Sequence, residues 1–229
     1  MHERAAILAR IASDPALVAL LAESRARDAA LAVPDPAHDT AHALRVAAWT
    51  LRLGGDDVDA REAVAAALLH DAVNPPKNSP GRAGAGERSA ALARGRLADL
   101  GFAPDAVTRI ADAIHDHGFS RGATPRSALG NALQDADRLE ALGAIGLLRC
   151  ISTGVRMGGA WFDGDDPWAA SRPLDDTRYS VDHFFTKLLG LPATMRTATG
   201  RAEAARRAEH LRAFLAQLAS ELDASLPQG

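Results

Sequence analysis

Apolar residues recur at three- and four-residue spacing through most of this chain, the period of a helix with one buried face. Residues 3 to 31 read as one or two helices. Asp14-Pro15 is a helix start with proline at the first position, and Leu17, Leu20, Leu21 and Ala22 form a buried stripe. Val33-Pro34-Asp35-Pro36 breaks the chain. Asp39 or Thr40 can cap the next helix, which runs to about Leu53 and carries His42, Arg45 and Trp49 on one face. Residues 58 to 71 are strongly helical, with Val64, Leu68 and nearby alanines directed inward. A loop over 74 to 86 holds Pro75, Pro76 and Pro80 with the cations Lys77 and Arg82. The pattern predicts a helix from about Arg88 to Leu100, stopped by Gly101, and another from Pro104 to His115-Asp116-His117-Gly118. Residues 126 to 150 are predicted helical again.

From Ser152 to Thr177 the periodicity collapses into glycine, aspartate and proline. A loop this long in a compact domain calls for a function or for disorder. Trp161, Phe162 and Trp168 argue for order, because large apolar rings can pin it. Helices are expected at about 178 to 190 and 196 to 223. In the last, Ala204, Ala208, Leu211, Leu215, Leu218 and Leu222 make an amphipathic seam. Core packing is the expected use of this seam, with a homodimer as the alternative.

Composition sharpens the helical reading. Hydrophobic residues make up 47 % of the chain but aromatics only 4 %, and alanine and leucine dominate. These residues lose little freedom on becoming helical, so the fold is expected to be all-α. The 229 residues suit a single domain over 1–229, with a core at about 36–150 and the loop and helices of 151–224 packed on it. A net charge of −3 gives no sign of a nucleic-acid polymer or membrane partner. Cys150 is the single cysteine, which excludes an internal disulfide and fits a reducing compartment. The charges Glu3, Arg4 and Arg10 do not suit a signal peptide, and no apolar run reaches the roughly 18 residues of a membrane helix. A cytoplasmic setting is expected.

The chemistry centres on His70-Asp71, at the end of the apolar run Ala66-Ala67-Leu68-Leu69. His38-Asp39 and His115-Asp116 are also adjacent pairs, but they stand at polar helix ends where capping explains them. His42, His70, Asp71 and Asp137 together would offer two imidazoles and two carboxylates. That mixed set suits Mn²⁺, Mg²⁺, Co²⁺, Ni²⁺, Fe²⁺ or Zn²⁺. His115 and His117 are further donors.

These segments resemble those of the HD-domain phosphohydrolase superfamily. Ala66 through Asp71 is similar to its signature, His42-Ala43-Leu44-Arg45-Val46 to the element with its first histidine, and Ala136-Asp137-Arg138-Leu139 to the segment with its last aspartate. The likeness extends to His117-Gly118-Phe119-Ser120, Phe162-Asp163-Gly164, Arg172 through Asp176 and Asp182-His183-Phe184, which resemble a small bacterial YedJ-type branch. The resemblance implies an HD-type bundle of roughly 8–11 helices with a long ordered loop near 152–177. It also implies one divalent ion held by His42, His70, Asp71 and Asp137. Asp135 competes for the last place, but two residues apart on a helix Asp135 and Asp137 point to opposite sides.

Other roles follow more loosely from the same likeness. Asp71 and His117 are the catalytic candidates, the imidazole as general acid. Arg45, Lys77, Arg121 and Arg178 are candidate phosphate contacts, and His38 is a candidate orienter of a ligand. The implied function is a phosphohydrolase of a small phosphorylated metabolite, in first place a nucleotide, by metal-activated attack of water. Pyrophosphate release from nucleoside triphosphates is favoured over phosphomonoester cleavage, because Lys77 and Arg82 could neutralise more than one phosphate. A diiron oxygenase and a non-catalytic nucleotide-binding sensor are the alternatives.

Overall fold

The computed structural model describes residues 2–75, 79, 81, 84–118 and 122–226, and the regular structure in them is helical. The chain divides into two compact units, Met1–Asp137 and Arg138–Gly229.

The first unit is organised around α4 (Ala60–Leu69). Every residue from Ala63 to Leu69 is buried. A helix that is apolar on all sides belongs inside a bundle, and α4 packs against α2 (Pro15–Ala29), α3 (Thr40–Gly54), α5 (Ala85–Asp99) and α6 (Pro104–Asp116). Its alanines leave room for neighbouring backbones to come close. Asp59 starts α4 by accepting hydrogen bonds from the amides of Arg61 and Glu62. Glu62 is paired with the Arg109 guanidinium of α6.

Capping also explains the starts of α2 and α3. Asp14 accepts from the Ala16 and Leu17 amides ahead of α2, whose Leu17, Leu20 and Leu21 are buried. α1 (His2–Ala12) meets α2 at a bend of 115°, and no single described helix is long and apolar enough to cross a membrane. Asp39 caps α3 through the His42 amide. α5 begins at Ala85, three residues before the expected start, with Gly84 at φ +77° ahead of it.

The expected helical stretch 126–150 is two helices. α7 spans Ala128–Leu139 and α8 spans Gly143–Arg156. Gly143 sits at φ +68°, a conformation that other residues adopt at a cost. A Cβ on Gly146 would lie 2.2 Å from the Ala141 carbonyl carbon, so this turn is closed at the backbone. Periodicity cannot see such a break, because the apolar spacing continues across it.

In the second unit α8 extends to Arg156, so the irregular stretch starts later than expected and covers 157–181. Hydrogen bonds between polar groups hold much of it. Ala160 and Tyr179 form an isolated bridge, and the Tyr179 hydroxyl donates to Asp163 at 2.6 Å. The Asp166 carboxylate accepts from the Ala170 and Ser171 amides. Buried Asp182 accepts from Arg172 at 2.6 and 3.0 Å and from the Asp175 amide. Of the two tryptophans expected to pin the loop, Trp168 is buried and donates to the Ala224 carbonyl, whereas Trp161 is 60 % exposed. The expected helix 178–190 is reduced to α9 (Asp182–Thr186) and a 3-10 segment, Leu188–Thr194, around Pro192. α10 (Ala198–Glu221) buries Ala204, Ala208, Leu211 and Leu215, the greater part of the predicted seam. It packs on α8 and on the 3-10 segment.

Candidate metal centre

The end of α4 places His70 at its C-cap, with Asp71 next in the turn that follows. His42 lies in the first turn of α3, Asp137 near the end of α7, and His117 immediately after α6. Four elements thus converge on the His70 imidazole. His42 Nε2 lies 3.2 Å from His70 Nε2 and 3.4 Å from Asp137 Oδ1. His70 Nε2 is 3.9 Å from Asp137 Oδ1 and 3.5 Å from Asp71 Oδ2. Asp71 Oδ1 in turn faces His117 Nε2 at 3.7 Å. Among the described residues these five side chains form two triads able to hold a cation, His42–His70–Asp137 and His70–Asp71–His117, with the donor atoms of each triad within 4.8 Å of one another.

The tautomers can be read from the second ring nitrogens. His70 Nδ1 is 2.7 Å from the Ala67 carbonyl, which can only accept, so Nδ1 carries the proton and Nε2 offers its lone pair. His117 Nδ1 likewise donates to the Ile114 carbonyl at 2.5 Å. Each histidine is oriented by the helix it terminates.

Burial pushes the His70 imidazole down to about 4, helped by the neighbouring His117 and His42 and opposed by Asp71 and Asp137. His70 is therefore neutral, as a ligand must be. Burial would raise both carboxyls, but the imidazoles outweigh it. His70 and His117 hold Asp71 well below the usual carboxylate range. His42 and His70 hold Asp137 below it. For His117 burial acts downward, yet the hydrogen bond and charge of Asp71 win, and its affinity for a proton rises. Two ionised carboxylates among inward-facing imidazole nitrogens make a set that fits a divalent cation with N/O preference.

The other expected residues are placed as follows. Asp135 is fully buried on α7 but belongs to neither triad. His115 pairs with Asp116 at 2.7 Å and is likewise outside both triads. His38 is held by Asp35 at 3.0 Å, its ring edge-on to His42 at 6.1 Å between centroids. Arg45 is half-buried, one turn after His42 on α3. Arg178, in the second unit, stacks over the Tyr179 ring at 5.1 Å. Lys77, Arg82 and Arg121 lie outside the described residues.

Three residues near the site escaped the sequence reading. Gln134, one turn before Asp137, is buried and donates to the carbonyls of Asp116 and Ala123, so it ties down the segment carrying His117. Arg27 and Asp28 on α2 bond to the helix ends that carry His70 and His42. No local pattern marks them: Gln134 has Gly130, Asn131, Asp137 and Arg138 one turn away, and Arg27 and Asp28 look like any exposed charge on an amphipathic helix.

Comparison with known proteins places this geometry. The model of the HD domain matches residues 40–142, a span that contains all five converging side chains. YpgQ of Bacillus subtilis (strain 168), itself described as uncharacterised, is 30 % identical over 191 residues, covering 81 % of this chain and 84 % of the relative. The crystal structure of Bacillus subtilis YpgQ in complex with ADP superposes with a TM-score of 0.65. It covers 89 % of this chain and 95 % of that one, at 25 % identity over the superposed residues. A structure described as an HD-superfamily hydrolase from Bacillus thuringiensis gives a TM-score of 0.59 at 28 % identity, covering 82 % of this chain and 88 % of that one.

Proposed function

This chain belongs to the HD-domain family, and from that premise we propose that it is a divalent-metal-dependent phosphohydrolase of a small phosphorylated metabolite, in first place a nucleotide. The observation that carries the reading is the convergence of His42, Asp137, Asp71 and His117 around the His70 imidazole, whose Nδ1 is held by the Ala67 carbonyl. His42, His70, Asp71 and Asp137 would hold the cation. When bound, such a cation supplies a Lewis acid that acidifies water and withdraws charge from a phosphoryl oxygen.

The chain's own groups supply the proton chemistry. Asp71 presents Oδ2 toward His70 and Oδ1 toward His117, so one carboxylate both ligates and orients. His117 keeps its Nδ1 proton on Ile114, and the facing Asp71 carboxylate raises its affinity for a second proton at Nε2. That proton is the one we assign to the leaving oxygen. Arg45, Lys77, Arg121 and Arg178 are assigned to substrate charge, and His38 to orienting the His42 side of the site. The bound ADP of the YpgQ structure supports a nucleotide as substrate class. Cleavage at a pyrophosphate bond remains the favoured chemistry on the charges of Lys77 and Arg82.

The diiron reading would need donors for two ions. Both triads depend on His70, whose other nitrogen is already bonded to Ala67, and one imidazole lone pair serves one ion. This supports a single cation. The test is metal-stripped protein assayed with Mg²⁺, Mn²⁺, Co²⁺ and Ni²⁺ against nucleoside mono-, di- and triphosphates. Ion-dependent turnover with pyrophosphate release from triphosphates is expected. Orthophosphate from monophosphates alone would reverse the bond assignment. Two irons per chain would overturn the hydrolase reading, and turnover unchanged in a His70→Ala variant that has lost its metal would move catalysis away from this site.

A further inference from the structure

We propose that Arg27 and Asp28 of α2 are positioning residues that set the separation of the two buried histidines, His42 and His70. The proposal rests on reading that pair as metal ligands. Arg27 Nη2 donates to the Leu68 carbonyl at 3.1 Å, two residues before His70. Asp28 Oδ2 accepts from the Thr40 amide at 2.8 Å and the Thr40 hydroxyl at 2.6 Å, two residues before His42. The Thr40 hydroxyl is also 2.9 Å from the hydroxyl of buried Ser24, on the same helix α2. Thus one turn of α2 grips the C-terminal end of α4 and the N-terminal end of α3.

Neighbouring residues on a helix diverge by about 100°, which lets adjacent side chains address two different helices. Their charges suit the ends they meet. The first amides of α3 are partly positive and face the Asp28 carboxylate; the last carbonyls of α4 are partly negative and face the Arg27 guanidinium. Burial lowers the proton affinity of Arg27 somewhat, but a guanidinium stays charged. Exchanging the order of the two charges would put each against the wrong helix end. The clamp acts at a distance from the ligand atoms, through backbone that leads directly into the His42 and His70 Cα positions. An interatomic gap of 3.2 Å between two imidazole nitrogens leaves little tolerance for drift of one helix along the other.

The experiment measures Mn²⁺ affinity of the full metal-stripped chain by competition with a chelating dye, alongside the melting temperature of the same metal-free samples. Arg27→Met and Asp28→Ala are each expected to weaken Mn²⁺ binding by about 10-fold or more, the usual effect of losing an outer support of a ligand. Arg27→Lys keeps a donor and is expected to restore most of that loss. Leu17→Val, a core change on the same helix, serves as a stability-matched control and is expected to leave the affinity unchanged. Affinities of the clamp variants equal to wild type would overturn the proposal. So would losses that merely track melting temperature and appear equally in Leu17→Val. Should Asp28→Ala not fold, Asp28→Asn, which keeps an oxygen but removes the charge, is measured in its place under the same criteria. His70→Ala separates the two levels of inference. If it abolishes binding while the clamp variants do not weaken it, the clamp fails and the site stands. If it leaves Mn²⁺ affinity unchanged, the site reading fails and the clamp fails with it.

Discussion

At the scale of the residue, polar groups inside this protein are generally met by a neighbour, with Arg172 Nε and Ser180 Oγ among the exceptions. Glu203 on α10 shows the rule away from the metal centre. Its oxygens accept from Arg206 at 2.7 and 2.8 Å and from Arg207 at 2.7 Å, while Arg207 also donates to the Leu139 carbonyl. The Arg206 bonds, opposed by partial burial and reinforced by Arg207, lower the Glu203 carboxyl from 4.5 to about 2. A depressed carboxyl stabilises the folded state above its unfolded pKa, and the contribution is lost as pH falls through the folded value. Glu203→Gln is therefore expected to cost about 1 kcal/mol at pH 7, the scale of a partly exposed charge-assisted pair. Urea titrations of both proteins should show that difference shrinking between pH 4.5 and pH 2. A difference that does not change with pH over this window would mean that the ion pairs do not contribute. His70 and Asp71 were legible as residues because adjacent polar groups after an apolar run are costly without a partner, whereas Asp137 was picked out by its resemblance to the HD-domain segment Ala136-Asp137-Arg138-Leu139. Asp135 shows the limit of such reasoning. It is as polar and more deeply buried, and only the turn of α7 decides that Asp137 faces the histidines instead.

At the scale of the element, spacing revealed which segments are helical but not where close backbone approach ends them. α4 is the clearest case of agreement, with Asp59 as cap and an alanine-rich body buried on every side. Ala66 is fully buried in it, so Ala66→Leu forces extra volume between helices and is expected to destabilise the chain by about 1–3 kcal/mol in urea denaturation. The break between α7 and α8 is the clearest case of failure. The added Cβ in Gly146→Ala would meet the Ala141 carbonyl, a backbone group that cannot rotate away. This variant should lose more stability than Gly164→Ala, where a Cβ meets nothing within 4 Å. Equal melting temperatures would show that the turn can relax. In the stretch 157–181 the order comes from aspartates accepting amide hydrogens rather than from apolar periodicity, so a hydrophobicity pattern had little to detect.

At the scale of the whole molecule, the expectation of a single domain is a matter for calorimetry. The division into two units falls within α7, a continuous helix, and one cooperative transition is the outcome that would support it. A cation bound to the native site adds stability by mass action, about 2.7 kcal/mol at a hundredfold excess over its Kd. Mn²⁺ is accordingly expected to raise the melting temperature of the stripped wild-type chain and chelator to reverse the rise. His70→Ala should show neither effect. From the sequence alone came the all-helical class, most helix starts, the buried character of α4 and the donor types of the centre, because these depend on local periodicity, capping and chemistry. Only the tertiary structure brought His117 to Asp71, split α7 from α8, and placed Arg27 and Asp28 on two helix ends at once. Those facts depend on which surfaces meet across tens of residues, and no local pattern of hydrophobic and polar positions records the angle at which helices cross.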